Sequence, residues 1–248
     1  MTLVLKSGYS FDSDASTYID AVETADGETL ETGVRVAIND FVLGCKQDGI
    51  WDAIKASCIL AGARTLDGAL VPLVGTAPTK QGTEVDWNYN RVTGLQGNGT
   101  NNYLDSNRAG NADLDTNSHI SIYNSTVGSG YYIGANGDTE ANQLQNGVVY
   151  FQNRSVNVAT GSTGFYGAAR TGSVLTGRAS KTNATSTASV FLLTSPTATY
   201  AIFARNISGA PAGYTNARLA FYSIGESLDL ALLDTRVSNL ITAIGGAI

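Results

Sequence analysis

Few residues in this chain combine the types and spacings that chemistry needs. A nucleophilic Ser or Cys requires a neighbouring base, most often histidine, and the one histidine is His119. It falls in the run His119–Asn124, which alternates like a strand, so it reads as a structural strand histidine. A single imidazole also rules out a three-histidine metal site. Glycosidic hydrolysis needs two carboxyl groups about 5–10 Å apart, and the acid pairs Glu84/Asp86 and Asp138/Glu140 read as loop residues. No catalytic residue is expected. Asp113-Leu-Asp-Thr-Asn117 begins like a calcium loop but has Ser118 at the sixth position and Asn124 at the twelfth, where Gly and Glu belong. No metal and no other cofactor is expected. Gly97-Asn-Gly-Thr-Asn-Asn102 precedes no helix and carries no Lys, so it reads as a hairpin loop rather than a phosphate cradle. Cys45 and Cys58 carry no metal-ligand spacing and read as buried thiols, with a disulfide across a helical hairpin as the alternative.

Sugars are held differently, by aromatic faces under their C–H surfaces and by amide or carboxylate groups on their hydroxyls. Trp87, Tyr89, Tyr131, Tyr132 and Tyr214 lie beside Asn-rich turns and are the candidate ligand-binding residues. Against that, tyrosine is also an ordinary strand residue whose hydroxyl finds water or a partner.

The elements that would position these groups divide by composition. Met1–Asp67 has a net charge of −6, residues 68–225 carry +2 and residues 226–248 carry −2. No basic run is present to neutralise phosphates, so no nucleic-acid partner is expected. No apolar run approaches the ~20 residues of a membrane span, so no membrane insertion is expected, and Met1–Lys6 is too short for a secretory leader. Residues 1–67 read as a helical module. Asp12 or Ser13 caps a first helix, Leu30 to Cys45 forms a second, and Ile50, Ile54, Cys58 and Ala61 mark a third. Three short helices make a thin core, so they must pack on something larger or on a second copy.

Residues 68–79, with Pro72, Gly75 and Pro78, form a connector. From 80 to 225, short apolar-and-Thr runs alternate with Gly/Asn clusters, and 17 of the 19 Asn lie between Asn88 and Asn216. That is the spacing of a two-sheet antiparallel sandwich. Its last strand, Ala217–Ile224, has Leu219, Phe221 and Ser223 on one face and Ala220, Tyr222 and Ile224 on the other. Neither face is charged, so the strand is expected to be covered on both. Residues 226–248 read as a locking helix capped by Ser227, with Leu228, Ala231, Leu232, Leu240 and Ile244 on its apolar side.

Ile50–Arg64, Gly68–Pro78, Arg91–Leu95, Tyr103–Asn107 and Ala217–Leu228 resemble a module of structural proteins in tailed bacteriophages, and the β part resembles concanavalin-A-like or laminin-G-like jelly rolls. The resemblance implies a mainly β jelly-roll sandwich in a virion protein that is not an enzyme. Sandwich-fold glycoside hydrolases typically carry Glu-x-Asp-x-x-Glu on one strand, and this sequence has no such motif. The expected role is a fibre-type component that presents the sandwich to a host-surface glycan. Its helical module would contact other virion proteins, and a homotrimer is expected by analogy. Alternatives are a purely structural head fibre or capsid decoration, and then a polysaccharide-degrading enzyme.

Overall fold

The computed structural model describes residues 10–137, 141–145, 148–152, 154–157, 162–179, 181–187 and 196–248. Thr2–Lys6, whose sequence suits a short edge strand or an extended arm, the apolar run Ser189–Leu193, which reads as a strand, and the acids Asp138 and Glu140 lie outside these residues.

The helices are α1 (Ser13–Asp26), α2 (Thr32–Gln47), α3 (Leu66–Ala69) and α4 (Leu230–Ala247). The first strands are β1 (Ile54–Ile59), β2 (Thr79–Gln81), β3 (Asn88–Asn90), β4 (Gly94–Gln96), β5 (Tyr103–Ala109) and β6 (Asn117–Thr126). Next come β7 (Tyr131–Asn136), β8 (Ala141–Gln145), β9 (Val148–Phe151), β10 (Arg154–Asn157), β11 (Gly164–Thr171) and β12 (Val174–Ala179). The last are β13 (Thr182–Thr187), β14 (Thr199–Ile202), β15 (Arg205–Ile207), β16 (Ala210–Ala212) and β17 (Arg218–Gly225).

Two sheets stack as a sandwich. Sheet A runs β13-β12-β11-β6-β17-β4-β3, and β1 also pairs with β17. Sheet B runs β10-β9-β8-β7-β14-β5-β2, with β15 on β7 and β16 on β15. The pairings are antiparallel except β15 on β7, which is parallel. The fold is therefore the mainly β sandwich that the spacing of apolar runs implies.

β17 is covered on both faces, as its uncharged sequence requires. Leu219, Tyr222 and Ile224 join the core between the sheets. Phe221 joins a second core, on the outer side of sheet A, where α1, α2 and α4 pack. Strict alternation would put Leu219 with Phe221, but the register against β6 shifts between them. Ala220 is the extra residue of a bulge, and it moves Leu219 to the inner side.

The first two helices form as expected. Asp12 caps α1 by accepting from Asp14 N–H at 2.9 Å, and Gly27, with φ 67°, ends it. The third helix does not form. Residues 54–59 are instead β1, paired with β17 from Ala56↔Ile224 to Ile59↔Phe221. The spacing Ile50, Ile54, Cys58 explains the difference, because a four-residue step keeps one face of a helix but is also two strand periods. The helical stripes thus pack on sheet A, with Phe41 edge-on to Phe221 at 5.7 Å. The connector runs beside β1, where Val74 accepts from Ser57 N–H and Leu73 donates to Ser57 C=O.

α4 begins later than expected. Asp229, not Ser227, is the cap and accepts from Ala231 and Leu232 N–H at 2.7 and 3.3 Å. Ser227 instead donates to the Asn117 side chain. The buried stripe is Leu230, Leu233, Val237, Leu240, Ile241 and Ile244, leaving Leu232 exposed. Cys45 lies in the helical core and Cys58 in the inter-sheet core. With sheet A between them, both are free thiols whose pKa burial pushes up to about 12.

One ion pair fastens α4 to the sandwich. Arg178 of β12 donates Nε–H to Asp234 at 2.8 Å, with side-chain exposures of 10% and 4%, and Ser238 completes the carboxylate. Removing one partner of such a pair leaves the other charge buried. Asp234→Ala should therefore cost about 3–5 kcal/mol. Replacing both partners with apolar residues (R178M/D234L) should cost markedly less, which urea unfolding of the three proteins would measure.

Candidate glycan-facing surface

The expected site residues have separate fates. Tyr132 is fully buried between the sheets and meets Tyr166 edge-on at 5.8 Å, so it cannot serve as a ligand platform. The register of β7 against β8 shifts between Tyr131 and Ile133, which turns Tyr132 inward beside Ile133. Tyr89 donates its hydroxyl to Ala63 C=O at 2.7 Å and packs against both cores, and burial raises its pKa. Trp87 packs edge-on to Phe203 at 5.7 Å and closes the inter-sheet core at the margin of sheet A. These three side chains are engaged in packing.

Tyr131 and Tyr214 come together on the outer side of sheet B. In β5, Leu104 points into the core and Tyr103 and Asp105 point out, half-buried. Tyr214 tilts against Tyr103 with ring centroids 6.3 Å apart, and its hydroxyl donates to Pro211 C=O. Tyr131 donates N–H to Gly213 C=O at 2.9 Å. Gly213 has φ 64°, and a Cβ there would stand 2.5 Å from the Tyr131 ring. A side chain at Gly213 would therefore push that ring away. Arg205 crosses the Tyr131 ring at 4.3 Å from its centroid.

Cross-strand register extends the surface. Gln143, Gly134, Ala201 and Asp105 lie opposite one another across β8, β7, β14 and β5. Their chain neighbours Leu144, Ile133, Ile202 and Leu104 are in the inter-sheet core, so this row lies on the other side of sheet B, where Gln143 and Ala201 are buried and Asp105 is half-buried. Tyr103, Gln143 and Arg205 escaped the sequence reading. The alternation Tyr103-Leu104-Asp105 was the available signal, whereas Arg205 sits at a chain reversal without periodicity.

Other motifs are engaged in structure. Gly97–Asn102 links β4 of sheet A to β5 of sheet B, so it is an inter-sheet arch and not a hairpin. There Asn98 Oδ1 accepts from Thr100, Asn101 and Asn102 N–H. Asp113 is held by Arg108, and the Asn117 side chain by Ser227. Among the described residues no group of three or more His, Cys, Asp or Glu could hold a metal. Likewise, no described helix is long and apolar enough to cross a membrane.

His119 does pair with a serine. Its Nδ1 lies 2.5 Å from Glu226 C=O and its Nε2 lies 2.9 Å from Ser223 Oγ, which is 2.7 Å from Ser121 Oγ. A carbonyl only accepts, so Nδ1 carries the proton and Nε2 accepts from Ser223. The arrangement has a nucleophile–base geometry, but Ser223 is fully buried on the helix-covered side of sheet A. Its hydroxyl completes a buried network instead.

No family model matches the chain, and no curated protein does. A mutant Trypanosoma rangeli sialidase displaying trans-sialidase activity is similar in structure, with TM-score 0.49 and 8% identity over 84% of this chain and 39% of that one. Trypanosoma rangeli sialidase with 2,3-difluorosialic acid gives TM-score 0.39 at 8% identity over 92% and 38%. Domain 4 of AbnA, a GH43 extracellular arabinanase from Geobacillus stearothermophilus, in complex with arabinotriose, gives 0.36 at 12% identity over 65% and 82%. This chain spans about two fifths of the sialidase chains. None of the three is a phage protein. Because the similar structures are sialidases and an arabinanase domain, the expectation that the chain is not an enzyme is withdrawn. No activity is drawn from likenesses this distant.

Burial lowers the His119 pKa from 6.5 to about 4, against smaller opposing effects of Glu226 C=O and Asp113. As pH falls, the unfolded chain takes up this proton first. The stability is thus fully present above about pH 6.5 and is lost progressively down to pH 4, by about 3 kcal/mol in all. Glu31, lowered from 4.5 to about 2 by Arg91, adds a loss that begins only below about pH 4.5 and runs down to pH 2. Urea unfolding between pH 4 and 7 should show this slope in the native chain and a shallower one in His119→Gln.

Proposed function

We propose that the chain is a carbohydrate-recognition protein whose binding face is the outer surface of sheet B around Tyr103, Tyr131 and Tyr214. The observation that carries this reading is the clustering of these half-buried rings on the sandwich face away from α1, α2 and α4. Rings already fixed by packing and by the Gly213 contact lose little conformational freedom on binding. Asp105, half-buried on this face, supplies a carboxylate for sugar hydroxyls, while Gln143 is buried and accepts from the Asn136 amide at 3.0 Å.

The setting we propose is the fibre-type virion component implied by the sequence resemblance, attached to other virion proteins, as a trimer, through its acidic helical side. Support for that setting is the resemblance itself and the segregation of charge, with the helix-bearing ends acidic and the middle not. Immunogold labelling of purified particles checks it: label at the tail tip is expected, and label over the head would indicate decoration instead.

On a glycan array the protein should retain a defined set of oligosaccharides. Tyr131→Ala and Tyr214→Ala should each weaken binding about tenfold, the effect of losing an anchoring aromatic. Tyr89→Phe should leave it unchanged. Chromatography of the bound oligosaccharide after incubation shows whether the chain also cleaves it. Absence of any retained glycan would overturn the reading.

A further inference from the structure

We infer that the sheet B surface is built for an acidic saccharide, with Arg205 receiving the sugar carboxylate. This rests on the glycan-recognition reading above and specifies its ligand class.

Arg205 differs from the other arginines whose side chains are described in what it faces. Arg35, Arg64, Arg91, Arg108, Arg178 and Arg236 each meet an Asp or Glu carboxylate within 4.0 Å. Arg170 and Arg218 direct their guanidinium groups to backbone carbonyls and side-chain amides. Arg205 meets no carboxylate among the described residues. Its one polar contact there is a marginal 3.5 Å approach of Nη1 to Gln143 Oε1. Its Nε and the neighbouring Asn136 Oδ1 are shielded from water without a hydrogen-bond partner. A guanidinium in that state retains most of its five donors in a planar fork that matches a carboxylate.

The same group is held in place. It stacks on Tyr131 at 4.3 Å, a position that fixes the plane of the fork without neutralising it. Gly134 makes room for it, since a Cβ there would stand 2.9 Å from Arg205 Cβ and 3.0 Å from Gln143 Cβ. The charge distribution agrees: residues 68–225 carry +2, while both helix-bearing ends are negative. Asp105, an acid described on this face, is opposite Ala201, which in turn is opposite Gly134. It therefore lies two strands, about 10 Å, from the Arg205 side. That separation lets Asp105 accept a hydroxyl of an adjoining sugar while Arg205 holds the carboxylate. A neutral glycan would use the tyrosines and give the fork no carboxylate beyond those of the described residues, none of which meets it.

The test is an array of galacturonate, glucuronate and sialylated oligosaccharides, each beside its carboxyl methyl ester, followed by calorimetry on the retained pair. The acid form should bind about tenfold or more tightly than its ester, the effect of a charge-assisted hydrogen-bond pair. That preference should shrink as salt rises. Arg205→Gln should abolish the acid preference, read as the acid-to-ester affinity ratio within that variant. Arg205→Lys should keep part of it, because a point charge remains but the fork is lost. Thermal melts of both variants establish that they fold, and Arg205→Lys alone decides the question if Arg205→Gln does not. Equal binding of acid and ester overturns this inference and leaves glycan recognition standing. An acid preference that survives in Arg205→Gln overturns the assignment to Arg205. Retention of neither acidic nor neutral glycans overturns both.

Discussion

The burial of sheet A on both faces is the constraint from which the rest of the molecule follows. β17 sits between β6 on one edge and β4 and β1 on the other, and from Leu219 to Ile224 its side chains are buried on both faces. Such a strand has no solvent face on which to place a mistake, and a one-residue slip would exchange the contents of the two cores. The Ala220 bulge shows how firmly the cores dictate: the backbone breaks its own alternation so that Leu219 can pack between the sheets. The same double burial leaves the two faces of the sandwich unequal. With α1, α2 and α4 spent on the outer side of sheet A, the broad sandwich face remaining is that of sheet B.

Polar groups placed in such an interior must be satisfied internally, since an unpartnered one costs several times what a made hydrogen bond returns. His119, Ser223 and Ser121 meet that demand as a closed relay ending on Glu226 C=O. Desolvation outweighs the carbonyl's attraction for a proton, so the ring stays neutral and the relay keeps one direction. Arg178 and Asp234 solve the same problem with charge, adding Asn183 and Ser238 as further partners. Because those residues come from β12, β13 and α4, the pair fixes where the final helix lands. Packing of its apolar stripe alone would tolerate rotation or sliding, and the ion pair removes that freedom.

The parts of this fold legible in the sequence are those where one period is possible. The buried closing strand, the two long N-terminal helices and the final helix all declare themselves through uninterrupted patterns. β1 does not, because a four-residue spacing satisfies helix and strand alike, and only its pairing with β17 decides between them. β8, β12 and β13 are rich in Thr, Asn, Gln and Gly, and their strand character comes from neighbours rather than from their own alternation. The candidate site was legible in the same uneven way. Tyr131 and Tyr132 are indistinguishable by composition, and the register shift against β8 sends one outward and the other into the core. The Asn-rich turns that drew attention to Trp87 and Tyr89 use their amides on their own backbone, as Asn98 does.

What distinguishes the sheet B surface from ordinary strand decoration is that its aromatic groups are constrained from behind. Isolated tyrosines on a β face sample rotamers and offer a ligand only their area. Here the backbone of Gly213 lies against the Tyr131 ring, and Gly130 lies against the carbonyls of Gly213 and Tyr214. Both glycines have positive φ, a conformation that other residues rarely adopt, so the two loops interlock only with this pair of residues. The loops hold Tyr131, Tyr131 holds Arg205, and the absence of a side chain at Gly134 leaves Arg205 its place. Rigidity propagates from backbone to ring to charge. Its energetic consequence is that ordering is largely complete before any ligand arrives, which is where much of the affinity of a small polar site must come from.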